Sequence, residues 1–332
     1  MNQPLLQVHD LHKTFAVKGG PMGSSRRRLK AVTGVSFDLA AGETLGLVGE
    51  SGCGKSTTGR LIARLLEPDS GQVLFRGDDL TRLSQRQMRP LRRHLQMIFQ
   101  DPFSSLNPRM RVFDILAEPL LLHGLVSRRE LAAEVLRLAQ RVGLGQDHLD
   151  RYPHEFSGGQ RQRIGIARAI AVHPDLVIAD EPVSALDLSI QAQVINLLRD
   201  IQQEFELSYL FIAHDLAVVE HISDRVAVMY LGRIVEIGPA AELYRRPLHP
   251  YTEALLNAVP VPEPNPNRQR PLLVGEVPSP IDPPPGCPFH PRCPYARDIC
   301  RFDMPPLQSH QSRHLSACHF AEEVGRFRHS DS

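Results

Sequence analysis

The chain has 332 residues, 42% hydrophobic and 23% charged, with a formal net charge of +1. That length suits one large domain plus a smaller one, and the near-neutral balance excludes both the basic footprint of a nucleic-acid binder and an acidic tail. No run of about 18 uncharged apolar residues is present, which excludes a membrane-spanning helix. The opening MNQPLLQVHDLHKTF lacks a basic region followed by a long apolar run, so no secretory signal is expected. Any service to a membrane is then expected from its surface. Of five cysteines, Cys53 stands alone, while Cys287, Cys293, Cys300 and Cys318 crowd the C-terminal part. In a chain with no export signal such clustering points to a metal before disulfides.

In chain order, residues 5–17 read as a strand bearing the aromatic Phe15. Residues 18–30 (KGGPMGSSRRRLK) are Gly/Ser-rich and basic, and are expected to form a solvated loop. Residues 32–39 and 44–48 are expected strands. The second runs straight into Gly49-Glu50-Ser51-Gly52-Cys53-Gly54-Lys55-Ser56-Thr57, a complete phosphate-binding loop. Its glycines let backbone amides face a β-phosphate, Lys55 reaches the β and γ oxygens, and the Ser56 hydroxyl can ligate Mg²⁺. The helix expected over 57–66 places its positive end at those phosphates. Cys53 is read only as a small loop residue.

The apolar run 95–99 ends at Gln100, ahead of a helix-rich stretch. Apolar residues at 131, 135, 138, 139 and 142 have helical spacing, and Gly143 and Gly145 can end that helix. Ser157-Gly158-Gly159-Gln160 then opens a helix expected to reach residue 172. Ser157 can cap it, and the glycines let amides approach an anion at its positive end. Its arginines, Arg161, Arg163 and Arg168, are expected to partner surface carboxylates. The strand 176–179 delivers Asp180 and Glu181 to the carboxyl edge of a sheet, where an Asp can hold Mg²⁺ and a Glu can orient a water. Ser184-Ala185-Leu186-Asp187 comes next, then an amphipathic helix over 189–204. A strand at 209–213 ends at His214, which on its own reads equally as a core histidine. Residues 225–229 and 233–237 are expected to form a hairpin, with a helix starting near 242.

With one phosphate loop already present, a second anion-binding helix start implies a second γ-phosphate contact. Together the phosphate loop, SGGQ and the Asp-Glu strand end resemble the ATP-binding subunits of ATP-binding-cassette (ABC) transporters. The resemblance implies an α/β P-loop NTPase fold: a RecA-like core, an antiparallel β subdomain and a helical subdomain at about 101–156. It implies that Phe15 stacks on adenine and that Gln100 contacts Mg²⁺ and the attacking water. Asp180 is the magnesium anchor, Glu181 polarises that water, residues 184–187 cross a dimer interface, and His214 contacts the γ-phosphate. The signature 157–160 closes over ATP held by a partner subunit. Soluble ABC ATPases of DNA repair or translation are the rival class; no coiled-coil insertion, tandem cassette or basic stripe supports them.

The cassette is expected to span 1–258 and an extension 259–332. Residues 260–291 hold twelve prolines, too many for continuous helix or sheet. The four cysteines are separated by five, six and seventeen residues, with no Cys-x-x-Cys pair. Cys287 and Cys293 each precede proline, as some iron–sulfur ligands do. A [4Fe–4S] cluster on all four is the first expectation; zinc, free thiols and a disulfide stay open. Residues 249–252 (HPYT) and the run GEVPSP…PPPGC at 275–287 resemble the ATP-binding subunits of dipeptide and oligopeptide permeases. Nickel and glutathione importers share these features. The resemblance implies a second, non-identical ATP-binding subunit, two membrane permease subunits, an extracytoplasmic binding protein upstream, and a peripheral seat on the cytoplasmic face of the inner membrane. It implies no nucleic acid.

Overall fold

The computed structural model describes residues 3–17, 27–258, 275–311 and 313–325. They divide into two compact units. One comprises Met1–Leu39, Thr44–Thr81 and Ala213–Ser332; the other comprises Ala40–Glu43 and Arg82–Ile212.

The first unit contains an antiparallel sheet in the order Arg27–Leu39, Leu6–Val17, Ser70–Phe75, Asp78–Asp79. Leu6 pairs with Leu39, Val8 with Phe37 and Leu11 with Val35. Leu6, Val8, Leu11, Val35 and Leu39 are all fully buried. One face of the sheet is therefore core, as polarity alternation in a half-buried strand requires. The basic stretch expected as a loop is shorter than that: Arg27 to Lys30 already belong to the second strand, pairing with Val17 to Thr14. The backbone ladder overrides the local basic composition there. Residues 18–26 lie outside the described set.

The same unit carries a second set of strands in the order Gln308–Gln311, His314–Ser316, Arg233–Pro239, Arg225–Tyr230, Thr44–Val48. The hairpin expected around Leu231-Gly232 is present, with Arg233 opposite Tyr230. The two outer strands come from the C-terminal extension: Glu236 pairs with Ser316 and Ile237 with Leu315. That attachment is long-range, and no local pattern announces it. It is locked by the buried Glu236 carboxylate, which accepts hydrogen bonds from Leu248 N (2.7 Å), His249 N (2.9 Å) and His314 Nε2 (2.8 Å). Gly238 leaves room for the imidazole, since a Cβ there would lie 2.6 Å from His314 Cδ2.

The second unit is built on three parallel strands, Leu95–Ile98, Leu176–Asp180 and Ser208–Ala213. The latter two are buried along their whole length, and their continuous apolar runs are what a parallel strand covered on both faces requires. Helix Gly158–Ile170 packs on the strand Leu95–Ile98, and helices Val112–Leu122, Leu131–Arg141 and Leu188–Phe205 pack against that helix. Between residues 102 and 155 there are helices and turns but no strand. Among the described residues no helix is long and apolar enough to cross a membrane.

Candidate functional site

Thr44–Val48 is buried throughout and feeds the phosphate loop. The loop lies hard against neighbouring backbone. A Cβ on Gly49 would sit 2.2 Å from the Met229 carbonyl oxygen, and one on Gly54, at φ +106°, would sit 2.1 Å from that of Ala31. Only glycine tolerates both the contact and the conformation. Gly54 then caps the helix Lys55–Ile62 without a side-chain hydrogen bond, the kind of helix start that suits an anion. Lys55 is buried, its ammonium donating to the carbonyls of Gly49 (2.7 Å) and Glu50 (3.1 Å). Burial pushes the Cys53 thiol up, outweighing nearby Lys55, so it stays neutral. Phe15 is 37% exposed, with the Lys13 ammonium 5.7 Å from its ring centre; it is not a core residue. His214 is likewise exposed.

In the second unit, Asp180 ends its strand fully buried. Glu181 follows with φ +45°, a left-handed conformation that is costly for a residue with a Cβ. It is held there by its N–H donating to the Ile212 carbonyl at 2.9 Å, while Gln100 Nε2 donates to Glu181 Oε2 at 2.9 Å. The two residues expected to handle a water therefore meet directly. Ser184 Oγ donates to the Glu181 carbonyl at 3.1 Å, tying 184–187 to the same corner.

Ser157 caps the helix Gly158–Ile170 in a full capping box with Gln160: Gln160 N reaches Ser157 Oγ, and Ser157 N reaches Gln160 Oε1. The two glycines permit close packing on the segment C-terminal to the acids. A Cβ on Gly159 would lie 2.6 Å from Ile190 Cγ2, and one on Gly158 would lie 3.5 Å from Leu186 Cδ2. The helix's arginines correct the expectation of carboxylate partners. Arg161 Nε donates to the Pro153 carbonyl and its guanidinium lies 4.2 Å from the Phe103 ring centre. Arg163 donates to the Val142 carbonyl and to Gln193 Oε1. Arg168 donates to the Ser105 carbonyl at 2.6 Å. A guanidinium fork matches loose carbonyls at loop ends as well as it matches an acid. These bonds fasten the segment after Gln100 to the helix opened by the signature.

The four clustered cysteines all line one pocket, together with His249, Phe289, Tyr295, Pro305, His319 and Phe320. Burial pushes Cys287 up, and Cys293 and Cys318 to about 12. All four are free thiols, so the disulfide alternative is not realised. Among the described residues no group of three or more His, Cys, Asp or Glu side chains is arranged to hold a metal ion. The expected metal centre is thus not drawn together among the described residues. Two further residues escaped sequence reading. Arg292, between two of these cysteines, reaches Glu50 of the phosphate loop, and Tyr251 OH accepts from Glu50 N at 2.8 Å.

Comparison with known proteins gives the family. Residues 32–184 match the ABC transporter family, and residues 235–300 match the oligopeptide/dipeptide transporter C-terminal region. The chain is 54% identical over 320 residues to the oligopeptide transport ATP-binding protein AppF of Bacillus subtilis, covering 96% of this chain and 97% of that one. It belongs to the ATP-binding subunits of ABC peptide transporters. This ABC subunit is also 53% identical to the probable peptide ABC transporter ATP-binding protein y4tS of Sinorhizobium fredii, over 96% of this chain and 90% of that one. Among solved structures, the cassette MJ0796 bound to ADP and Pi superposes with a TM-score of 0.63 at 26% identity, over 71% of this chain and 98% of that one. CbiO1 of Clostridium perfringens gives 0.63 and 26%, over 74% and 92%. The ABC nucleotide-binding fold and ATPase class expected from the sequence are thereby established. ATP and Mg²⁺ follow as the cofactors of such a domain.

Proposed function

We infer that this chain is the ATP-hydrolysing subunit of an importer for di- and oligopeptides. The observation that carries the hydrolytic part is the Gln100–Glu181 hydrogen bond at the end of a buried strand. In this reading it orients the carboxylate that polarises the attacking water. In this reading residues 49–57 cradle the phosphates, Phe15 stacks on the base, Ser56, Gln100 and Asp180 serve Mg²⁺, and His214 meets the γ-phosphate. Held by these residues, Mg²⁺ would neutralise phosphate charge. Residues 157–160 and 184–187 engage ATP held by a second, non-identical ATP-binding subunit. Two membrane permease subunits carry the peptide, an extracytoplasmic binding protein delivers it, and the ATPase works from the cytoplasmic face of the inner membrane. ATP closes the dimer and hydrolysis reopens it, a population shift driven by tighter ATP binding to the closed state.

The test is Glu181→Gln. MgATP affinity should stay within about threefold while turnover falls by roughly 100-fold or more. Undiminished hydrolysis removes Glu181 from this role. Uptake by the reconstituted complex decides the cargo: peptide-stimulated ATPase supports the reading, and stimulation by nickel or glutathione alone replaces it.

The functional division is a cassette at 1–258, with its helical subdomain at about 101–156, and an extension at 259–332. The residues that fit a [4Fe–4S] cluster there are Cys287, Cys293, Cys300 and Cys318. The absence of a Cys-x-x-Cys pair and the Cys-Pro steps at 287 and 293 support this over zinc. The cluster would tie the extension together through its four cysteine ligands.

A further inference from the structure

An acid in a phosphate cradle poses an electrostatic problem. Glu50 is the second residue of the loop whose amides face the nucleotide, so an ionised carboxylate there repels the triphosphate. The structure shows what stands against it. Arg292 Nη1 lies 2.8 Å from Glu50 Oε2 and Nη2 lies 3.0 Å from Oε1, a two-pronged pair closed across 242 residues of sequence. The Arg292 side chain is only 5% exposed, while that of Glu50 is 26% exposed. The backbone of Glu50 is pinned as well, by its N–H donating to Tyr251 OH. Tyr251, Tyr230 and Phe289 form one aromatic cluster with ring centres 4.7 to 5.4 Å apart. The guanidinium of Arg292 lies 6.0 Å from the Tyr230 ring centre. Phe289 and Arg292 both lie between Cys287 and Cys293.

We propose that Arg292 is a positioning residue for ATP: it neutralises Glu50 and fixes the second residue of the phosphate loop, so the folded extension sets the affinity of the nucleotide cradle. The proposal rests on the reading of residues 49–57 as the ATP site. The charge part comes from the fork, which cancels one negative charge beside the phosphates. The geometric part comes from bidentate pairing, which fixes both the direction and the distance of the carboxylate, as a lone ammonium does not. Arg292 is carried between two of the pocket's cysteines, so any event that loosens those thiols releases Glu50 toward the nucleotide.

The experiment measures MgATP and adenosine binding on the full-length chain, and KM and kcat for hydrolysis in the reconstituted complex. For Arg292→Met we expect MgATP affinity to fall roughly tenfold at low salt, with the loss shrinking as salt screens it. KM should rise more than kcat falls, and adenosine, which has no phosphates, should bind as before. The double variant Glu50→Gln/Arg292→Met should recover most of the MgATP affinity, because the repelling charge is gone. A purely structural staple predicts the opposite, a double variant at least as weak as the single. That result overturns the proposal, as does Arg292→Met binding MgATP within twofold of the parent. If Arg292→Met does not fold, Arg292→Gln, which keeps donors but no charge, carries the same comparison with the same outcomes. A parent chain that binds no MgATP removes the ATP-site reading itself, which separates the two failures.

Discussion

Replacing His314 by Ala tests what holds the extension to the sheet. His314 is 2% exposed and Glu236 is fully buried, and the imidazole supplies one of three hydrogen bonds to that carboxylate. Losing a bond to a buried charged group costs about 1.5–3 kcal/mol. The vacated ring volume adds about 1–2 kcal/mol, because the surroundings collapse only partly. The sum, about 2.5–5 kcal/mol, overlaps the usual cost of breaking a buried pair from one side. The strand His314–Ser316 is attached through two paired positions, Glu236 with Ser316 and Ile237 with Leu315. The cost should therefore appear as local opening. Amide hydrogen exchange at Leu315, Ser316 and Ala317 should accelerate on the order of 10²–10³-fold, at about 1.4 kcal/mol per decade. Exchange in the strand Leu176–Asp180 should change far less. His314→Gln keeps a donor of similar reach and should restore most of the protection. If exchange at these amides stays within about threefold of the parent in His314→Ala, the Glu236 clamp does not secure the strand.

His249 is fully buried, and burial lowers its pKa to about 3, against about 6.5 unfolded. Between those values the unfolded chain binds one more proton, so stability falls as pH drops below about 6.5, by about 1.4 kcal/mol between pH 7.5 and 5.5. Urea midpoints should show that decline in the parent, and His249→Gln should lack this component; parallel pH profiles would rule it out. For the four thiols, anaerobic purification should yield about four irons and four sulfides per chain with absorption near 400 nm. One zinc with no sulfide would replace the cluster with a zinc staple.

The elements that carry the ATP chemistry were legible because that chemistry is local. A tight loop against backbone needs glycine at 49 and 54, a helix start needs Ser157, and a buried parallel strand needs the run before Asp180. Some boundaries differ by a residue or so, as with the helix Leu188–Phe205 against an expected 189–204, while the strand Arg27–Leu39 begins five residues before the expected 32 and the helix Lys55–Ile62 stops four before the expected 66. What escaped the sequence is long-range and directional. Arg161, Arg163 and Arg168 end on carbonyls and an amide, because chain topology decides which loop ends face that helix. The pairing of Arg292 with Glu50 has no periodicity to betray it. Neither does the addition of strands from the extension, since Glu236 looks like an ordinary surface acid of a hairpin until His314 covers it. The four cysteines line one pocket, but among the described residues they are not arranged to hold a metal ion as the cluster expectation required.

The strands contributed by the extension also bear on how the protein stays dispersed. Without them, Arg233–Pro239 would be an outermost strand, offering a row of unpaired backbone groups on largely apolar residues, a template on which another chain can build. In the full chain that row is taken up by His314–Ser316, and the rim becomes Gln308–Gln311, only four residues long and polar in sequence. The C-terminal segment thus acts as a hem on the sheet. A protein cut at residue 258 would lose more than its cysteines, because it would expose the one edge most able to recruit copies of itself.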